Sequence, residues 1–580
     1  MTIMRLRNVG KTGVTTDIPP YDLTPSDWSW ANNVRFEANR VQKIGGAKAA
    51  LLRDMPQEIP LGVVQQPITE SLVYGTWDPA TNKGSIYRAE GVSHKNISKL
   101  VSEGGTEQVR YDVEPGEPWE YTTLSNTVIF NTNKSDPQGI APNEKNFHDL
   151  PGWGQPKKAG GAKIDWKTNR IRAYKTYLLC MGITEAGINY PQRVRWSNTA
   201  YVGTLPPDWI EDDETKDGGF NDLTDSQSHI IDGRPLRDSF VIYTNRDTFI
   251  MDYVGGTMVF NFRKIFSDSG ILAANCCVEF EGQHFVISEE DIFVHNGSTR
   301  QSVATGRIKD YLMKQISSTN FNATRVYSYP TRKEIWITYV STNAPAAVAG
   351  SAPEDKYACD KAAIWSWEYN TWTFADLPNI YDIALGISPE TDSRTWENYD
   401  PSGVNDYAWN SEDIQEDVWN QYAQTFTRHQ MFGASMDRCF YMLDTGYKQD
   451  YYDYTKIGGP GWNPLDPAKT TVTSRPVYCE VRRDALDFDE QEPDISYHKW
   501  WRTIYPQMGG KGTVRFFIGG SNSPNGSPVW DSWQDFDIET DHKVDCFSNY
   551  RYPAIRILDT AEGEWNMIGY DVDYFREGNR

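Results

Sequence analysis

Three carboxylates stand together at Glu289, Glu290 and Asp291, inside the stretch HFVISEEDIFVHNGS (284 to 298). Acids set between apolar strands are what a hydrolase uses as general acid and base. A sibling stretch argues against that use. FVIYTNRDTFIMDYVGG (240 to 256) has the same plan as FVISEEDIFVHNGS: a strand, a polar turn with Asp, a second strand, then Gly. Its turn is Asn245, Arg246 and Asp247. A catalytic acid pair would not be interchangeable with Asn-Arg in a sibling unit. A hairpin turn would be, because it asks only for polar residues that bond locally. The three acids are therefore read as turn residues.

Other chemistry is sought and not found. NVGKTGVTT (8 to 16) holds a Gly-Lys-Thr, but position 5 is Arg where a phosphate-binding loop needs Gly, and no apolar strand precedes it. GGKGTV (509 to 514) has Gly after the Lys, where a hydroxyl should meet magnesium. The eight His form no His-Glu-x-x-His motif, and no Cys-x-x-Cys or calcium-loop spacing occurs. His295 and His498 are read as surface or satisfied structural residues. No Gly-x-Ser-x-Gly elbow is present. The seven Cys are scattered and mostly lie in apolar runs, which fits buried free thiols in a reducing compartment. No catalytic, cofactor-binding or metal-binding residue is expected.

The charge points the same way. The chain of 580 residues carries 57 Lys plus Arg against 79 Asp plus Glu, a net charge of −22. Such a surface repels phosphate and disfavours sequence-reading DNA binding. No stretch approaches 18 apolar residues and the start lacks an apolar signal core, so a soluble chain made in the cytoplasm is expected.

The elements that must carry these residues are strands. Aromatic and β-branched residues sit in short runs broken by Gly, Asn, Asp and Pro, the mark of an all-β chain. GRIKDYLMKQI (306 to 316), with Ile308, Leu312 and Ile316 four apart, is the best helix candidate. A polar residue or two followed by an apolar strand recurs at SLVYGTW (71), NTVIFN (126), KTYLLCM (175), DSFVIY (238), GQHFVIS (282), KEIWITY (333) and DRCFYML (437), with a weaker copy, IYDIALG (380), in the one long gap. Most intervals are 44 to 63 residues, room for four short antiparallel strands and their turns. Equal units of that size predict a β-propeller of six to eight blades, against a stacked β-sandwich as the alternative.

The propeller is expected over residues 56 to 450, with a β-rich C-terminal region over 451 to 580. Residues 1 to 55 hold too few apolar residues for their own core and are expected to pair as edge strands with later segments. Two acidic insertions interrupt the units. Residues 205 to 225 carry eight acids and one Lys, and residues 389 to 430 carry nine acids and two Arg. Each reads either as a solvated loop or as a surface that stays beside a polyanion without sticking to it.

Near the start, NNVRFEANRVQKIGG (32 to 46) resembles the N-terminal segment of tail proteins of short-tailed bacteriophages, the nozzle, tubular or DNA-stabilisation proteins. VRWSNT (194 to 199) resembles a mid-chain strand of that family, and YPAIRILDTAEGEWNMIGYDVDYFREGNR (552 to 580) is similar to its closing hairpin. The resemblance implies a structural virion protein rather than an enzyme: a propeller subunit of a homohexameric ring in the tail, below the portal and adaptor proteins and near tail fibre or tail tip proteins. Double-stranded DNA would pass through its channel for retention and ejection, without sequence-specific binding. No cofactor is implied. On that reading the insertion 389 to 430 lines or narrows the channel, with Glu412, Asp413, Glu416 and Asp417 as its candidate lining. The other class of reading is a carbohydrate-binding or depolymerising propeller, which stacks sugars on exposed aromatics. Oligomeric state together with activity on host polysaccharide separates the two.

Overall fold

In a computed structural model, the structure describes residues 2–68, 71–90, 93–102, 104–114, 119–158, 162–256, 258–343, 357–387, 429–459, 462, 468–486, 488 and 497–579. Strands build nearly all of it, in two units: a seven-bladed β-propeller and a two-sheet sandwich.

Each blade is a four-stranded antiparallel sheet, its strands in sequential order in blades 1 to 6. The inner strands are Ile59–Gln65, Glu120–Leu124, Trp166–Tyr174, Ile230–Leu236, Cys277–Phe280, Arg325–Tyr329 and the second half of Thr371–Ile387, for blades 1 to 7 in turn. Each inner strand touches the next around the ring, and that of blade 7 closes on that of blade 1. In blades 2 to 5 the inner strand turns into the second through two residues, of which the first (Ser125, Lys175, Arg237, Glu281) has positive φ. That left-handed residue matches the tight turn to the strand twist.

The second strands are covered on both faces by the neighbouring blades. Leu72–Trp77, Thr127–Asn131 and Glu334–Tyr339 are buried at every position. Burial on two faces asks for a continuous apolar run, which is why these strands are the visible repeat. In blades 1 to 6 the recurring motif is the second strand. Blade 7 departs from this: IYDIALG is its inner strand, His429–Ser435 its second, and DRCFYML supplies the third, Cys439–Leu443. The fourth strand of blade 7 is Ala47–Ala50, from near the start of the chain. Ring closure thus joins residues about four hundred apart in sequence and leaves no blade incomplete.

The sandwich interleaves the two ends of the chain. One sheet runs Val544–Tyr550, Tyr497–Gly510, Trp565–Asn579, Arg40–Lys43, Val34–Glu37, with Thr2–Arg7 also paired to Trp565–Asn579. The other runs Trp30–Asn32, Cys479–Arg483, Tyr552–Asp559, Thr513–Ser521, Val529–Asp537. The first residues therefore form no globule of their own. Most of their strands lie at edges, but Trp30–Asn32 sits between Cys479–Arg483 and the long strand Thr371–Ile387. The helix Lys309–Gln315 follows blade 5, with Ile308, Leu312 and Ile316 buried. Asp17, far away in sequence, accepts hydrogen bonds from the free N–H groups of Asp310 and Tyr311 at its first turn.

Where the units meet, the motif at 32 to 46 acts as a clamp. The Arg35 guanidinium is buried against Glu334 and against Asp444 (3.0 Å). Burial alone would lower its pKa, but the two carboxylates outweigh that and hold it above the ordinary value. Arg332 adds a second cation on Asp444, at 3.5 Å. Lys43 bonds Asp559 at 2.7 Å, the two side chains 0% and 1% exposed, and Trp565 donates its indole N–H to the same carboxylate. A Cβ on Gly45 would strike the backbone of Asp444, and one on Gly46 the carbonyl of Lys448. The Gly pair is thus needed for close approach.

Candidate functional site: the propeller axis

Polar residues in or just before the inner strands come together on the axis as the ring closes. Arg172 from blade 3 donates to Glu120 of blade 2 (2.7 Å), to Asp232 of blade 4 (3.0 Å) and to the side-chain carbonyl of Asn275, just before blade 5 (3.0 Å). Arg170 lies 3.2 Å from the other oxygen of Glu120. Asp382 of blade 7 accepts from Tyr121 (2.9 Å), from Tyr327 of blade 6 (2.7 Å) and from the backbone N–H of Val63 in blade 1 (2.9 Å). Arg325 lies 3.7 Å from Asp382 and over the ring of Tyr381. All seven blades contribute, and Glu120, Arg172, Asp232, Arg325 and Asp382 are buried. The axis of the propeller is closed.

Electrostatics follow from that packing. Burial would raise the pKa of Asp232, but Arg172 and Arg234 overcome it and hold the carboxyl well below its usual range. Burial pushes the phenols of Tyr121 and Tyr327 well up, so they act as neutral donors to Asp382. A cavity of about 420 Å³ lies on one side of the network. Tyr121, Arg234, Cys277, Tyr327 and Ile383 line it, each following a network residue in its strand or chain. The cavity therefore lies toward the ends of the inner strands. Burial pushes the Cys277 thiol up to about 12, which leaves it a poor nucleophile at neutral pH.

The acids Glu289, Glu290 and Asp291 occupy the turn between the second and third strands of blade 5, off the axis. Ser288 and Asp291 exchange bonds there: the Ser288 hydroxyl donates to the Asp291 carbonyl (2.9 Å) and accepts from its N–H (3.0 Å). Thr244 and Asp247 make the same pair of bonds in blade 4, at 3.2 and 2.8 Å. The two turns are one local structure, and Glu289 and Glu290 are exposed on it.

His295 is buried in a directed chain. The Gly297 N–H donates to its Nδ1 (3.2 Å), so its Nε2 carries the proton and donates to the Tyr243 oxygen (2.6 Å). Tyr243 then donates to His284 Nδ1 (2.8 Å), and His284 Nε2 donates to the carbonyl of Pro235 (2.6 Å). The Tyr243 oxygen also accepts from the Cys277 thiol, at 3.7 Å. His498 lies half-buried in a sandwich strand. All seven cysteines are buried and unpaired.

The insertion 205 to 225 folds onto blade 3. Trp209 is buried against Trp153 and Trp166, edge to face. Four of its eight acids are matched: Glu211 with Arg195, Asp208 with Lys216, Asp213 with Lys158, Asp222 with Arg193. In the other insertion, Glu412, Asp413, Glu416 and Asp417 lie outside the described residues. The described chain stops at Ile387 and resumes at His429, and these two are paired as the ends of one hairpin. Sequence reasoning missed the axial network. Its signal was a charged residue inside several short inner strands, as in NRIRAY, IIDGRPL and IYDIAL.

No protein-family model matches the chain, and no curated protein matches it. Among solved structures, it is similar to one described as "YCF48 bound to D1 peptide", with 9% identity over 69% of this chain and 97% of that one, at a TM-score of 0.34. It is also similar to a fungal alcohol oxidase solved in complex with copper, with 8% identity over 92% of this chain and 99% of that one, at a TM-score of 0.36.

Proposed function

We propose that this chain is a structural subunit of the tail nozzle ring of a short-tailed bacteriophage, assembling with copies of itself below the portal and adaptor proteins. The observation that carries the reading is an exposed aromatic edge on the sandwich. Val529–Asp537 and Val544–Tyr550 are the outermost strands of their sheets and lie against each other. They leave Val529 58%, Trp533 59% and Phe547 73% exposed. Unpaired strand edges carrying large apolar side chains invite pairing with another chain, and a closed ring of identical copies covers such edges without leaving new ones.

Two further features support the reading. The segments that resemble the nozzle family, 32 to 46 and 552 to 580, are hydrogen-bonded to each other and to the propeller through Arg35 and Lys43. The net charge of −22 suits a conduit that must not grip DNA. Because the propeller axis is filled, a duplex would run between copies of the chain rather than through one, with Glu412, Asp413, Glu416 and Asp417 as candidate lining. Tail fibre or tip proteins would meet the far end.

Analytical ultracentrifugation of the wild type and of a Trp533→Asp, Phe547→Asp double variant tests this. The expected result is a ring for the wild type and a folded monomer for the variant. A wild type that stays monomeric with portal and adaptor present, yet binds or cleaves host polysaccharide, would replace the ring by the carbohydrate reading.

A further inference from the structure

We infer that the axial cavity is a binding site for a small monocarboxylate with an apolar body, held by Arg234. The inference stands apart from ring assembly, since it concerns groups within a single propeller.

The first argument is a cation without an ion pair. The axis gathers four guanidinium groups, Arg170, Arg172, Arg234 and Arg325, against three buried carboxylates, Glu120, Asp232 and Asp382, with Glu279 exposed on the cavity lining. Glu120 and Asp232 are bonded by Arg170 and Arg172, and Asp382 by two phenols and a backbone N–H. Arg234 has no carboxylate within ion-pair distance among the described residues. Its Nη2 donates only to the Asn275 side-chain carbonyl (2.6 Å), an oxygen already used by Arg172. Guanidinium does not shed its proton to escape this, so a partly buried, unmatched cation remains in a low-dielectric setting.

The second argument is the shape and lining of the space beside it. The cavity of about 420 Å³ falls within the roughly 300–1,000 Å³ of small-molecule sites. Pro235, Val278, Val326, Ile383, Leu385 and Met431 form an apolar wall. Arg234 lines the same space, and so does Ser328, whose hydroxyl makes no hydrogen bond to the described residues.

The third argument selects the class of anion. Nε of Arg234 is buried without a partner and Nη2 is engaged, which leaves Nη1 as its free donor. One guanidinium nitrogen and a hydroxyl suit a carboxylate; a phosphate asks for more donors. Two carboxylates also reach the lining, Glu279 exposed and Asp382 bonded to Tyr121 and Tyr327, and their charge opposes a second negative charge on the ligand. The apolar wall takes the ligand's body and the Arg234 end takes its head.

The test titrates the full chain with butanoate, hexanoate and benzoate, and in parallel with the matching neutral amides, by calorimetry and thermal shift. At least one carboxylate should bind saturably and raise Tm, while its amide binds at least tenfold more weakly. Arg234→Gln should weaken the carboxylate tenfold or more. Leu385→Trp, which fills the cavity and leaves the axial charges in place, should abolish binding even if Arg234→Gln proves too unstable to assay. Absence of saturable binding by all three acids, equal binding of acid and amide, or undiminished binding by folded Leu385→Trp would overturn the assignment.

Discussion

The clamp between propeller and sandwich and the network on the propeller axis are built from the same groups, buried cations against carboxylates. At the clamp, Arg35, Arg332 and Lys43 meet Glu334, Asp444 and Asp559, three against three. On the axis, four guanidinium groups meet three carboxylates. At the clamp every cation has a carboxylate within 3.5 Å, Arg332 being part exposed and a cavity of about 260 Å³ lying beside Asp444. The axis leaves Arg234 without an ion pair and has a cavity beside it. Matching separates an ionic cluster that fastens two parts of a fold from one with capacity left for binding.

The largest effect should come from breaking the matched cluster. Asp559→Ala leaves the Lys43 ammonium buried without its carboxylate and the Trp565 N–H without an acceptor. Removing one partner of a buried pair costs about 3–5 kcal/mol. Urea unfolding should show that loss, and Lys43→Met combined with Asp559→Leu should recover much of it. A cost under about 1 kcal/mol for Asp559→Ala would mean that the two ends of the chain are not held through this pair.

A second test uses a buried cluster with no charge at all. Burial lowers the pKa of His284 to about 4 and that of His295 to about 3, and burial also lowers that of His94. His284 and His295 stay neutral in the folded chain while the unfolded chain takes up protons below about pH 6.5. Their contribution is therefore fully present above pH 6.5 and is lost as the pH falls toward 4. The slope should approach 1.4 kcal/mol per pH unit for each histidine. Between pH 6.5 and 5 few carboxylates titrate, so denaturant midpoints in that window isolate the histidines. His284→Gln should flatten the slope, and a flat wild-type profile would show that water reaches the Tyr243 chain.

The mismatch itself predicts an asymmetry within the axis. Arg172→Met leaves Asp232 without an ion pair and Glu120 with Arg170 alone, and should cost about 3–5 kcal/mol. Arg234→Met breaks no ion pair and should cost less than about 1 kcal/mol. Equal losses would mean that Arg234 is matched after all, and would remove the first argument for a ligand.

What was legible in the sequence follows from how far apart the interacting parts lie. The repeat could be read because second strands are buried on both faces, and that demand is written locally as an apolar run. Blade 7 was harder, since an insertion separates its inner and second strands and its outer strand comes from residues 47 to 50. The axial network was invisible because Glu120, Arg172, Asp232 and Asp382 become neighbours only when the ring closes. The residues of the segment 32 to 46 could be read, but not the partners that they meet. Lys43 meets its partner 516 residues later, and no local pattern marks that pairing.

The smallest effect should come from the residues that most resembled catalysis. Glu289 and Glu290 are exposed, make no ion pair among the described residues, and sit on a turn held by Ser288 and Asp291. Replacing either by Ala removes charge from solvent and leaves the turn's bonds intact, so stability should change by no more than about 0.5 kcal/mol. Asp291 is a partial exception, because its carboxylate also accepts from Ser302 (2.7 Å) and the Ile292 N–H (2.8 Å). Asp291→Ala should cost about 1 kcal/mol, the worth of such bonds at a part-buried turn. Asp247→Ala in the sibling turn is the control: its carboxylate bonds Ser226 at 2.8 Å, so a similar cost is expected from the same construction. A loss of several kcal/mol at Glu289 or Glu290, or loss of an enzymatic activity on their replacement, would show that these acids do more than turn the chain.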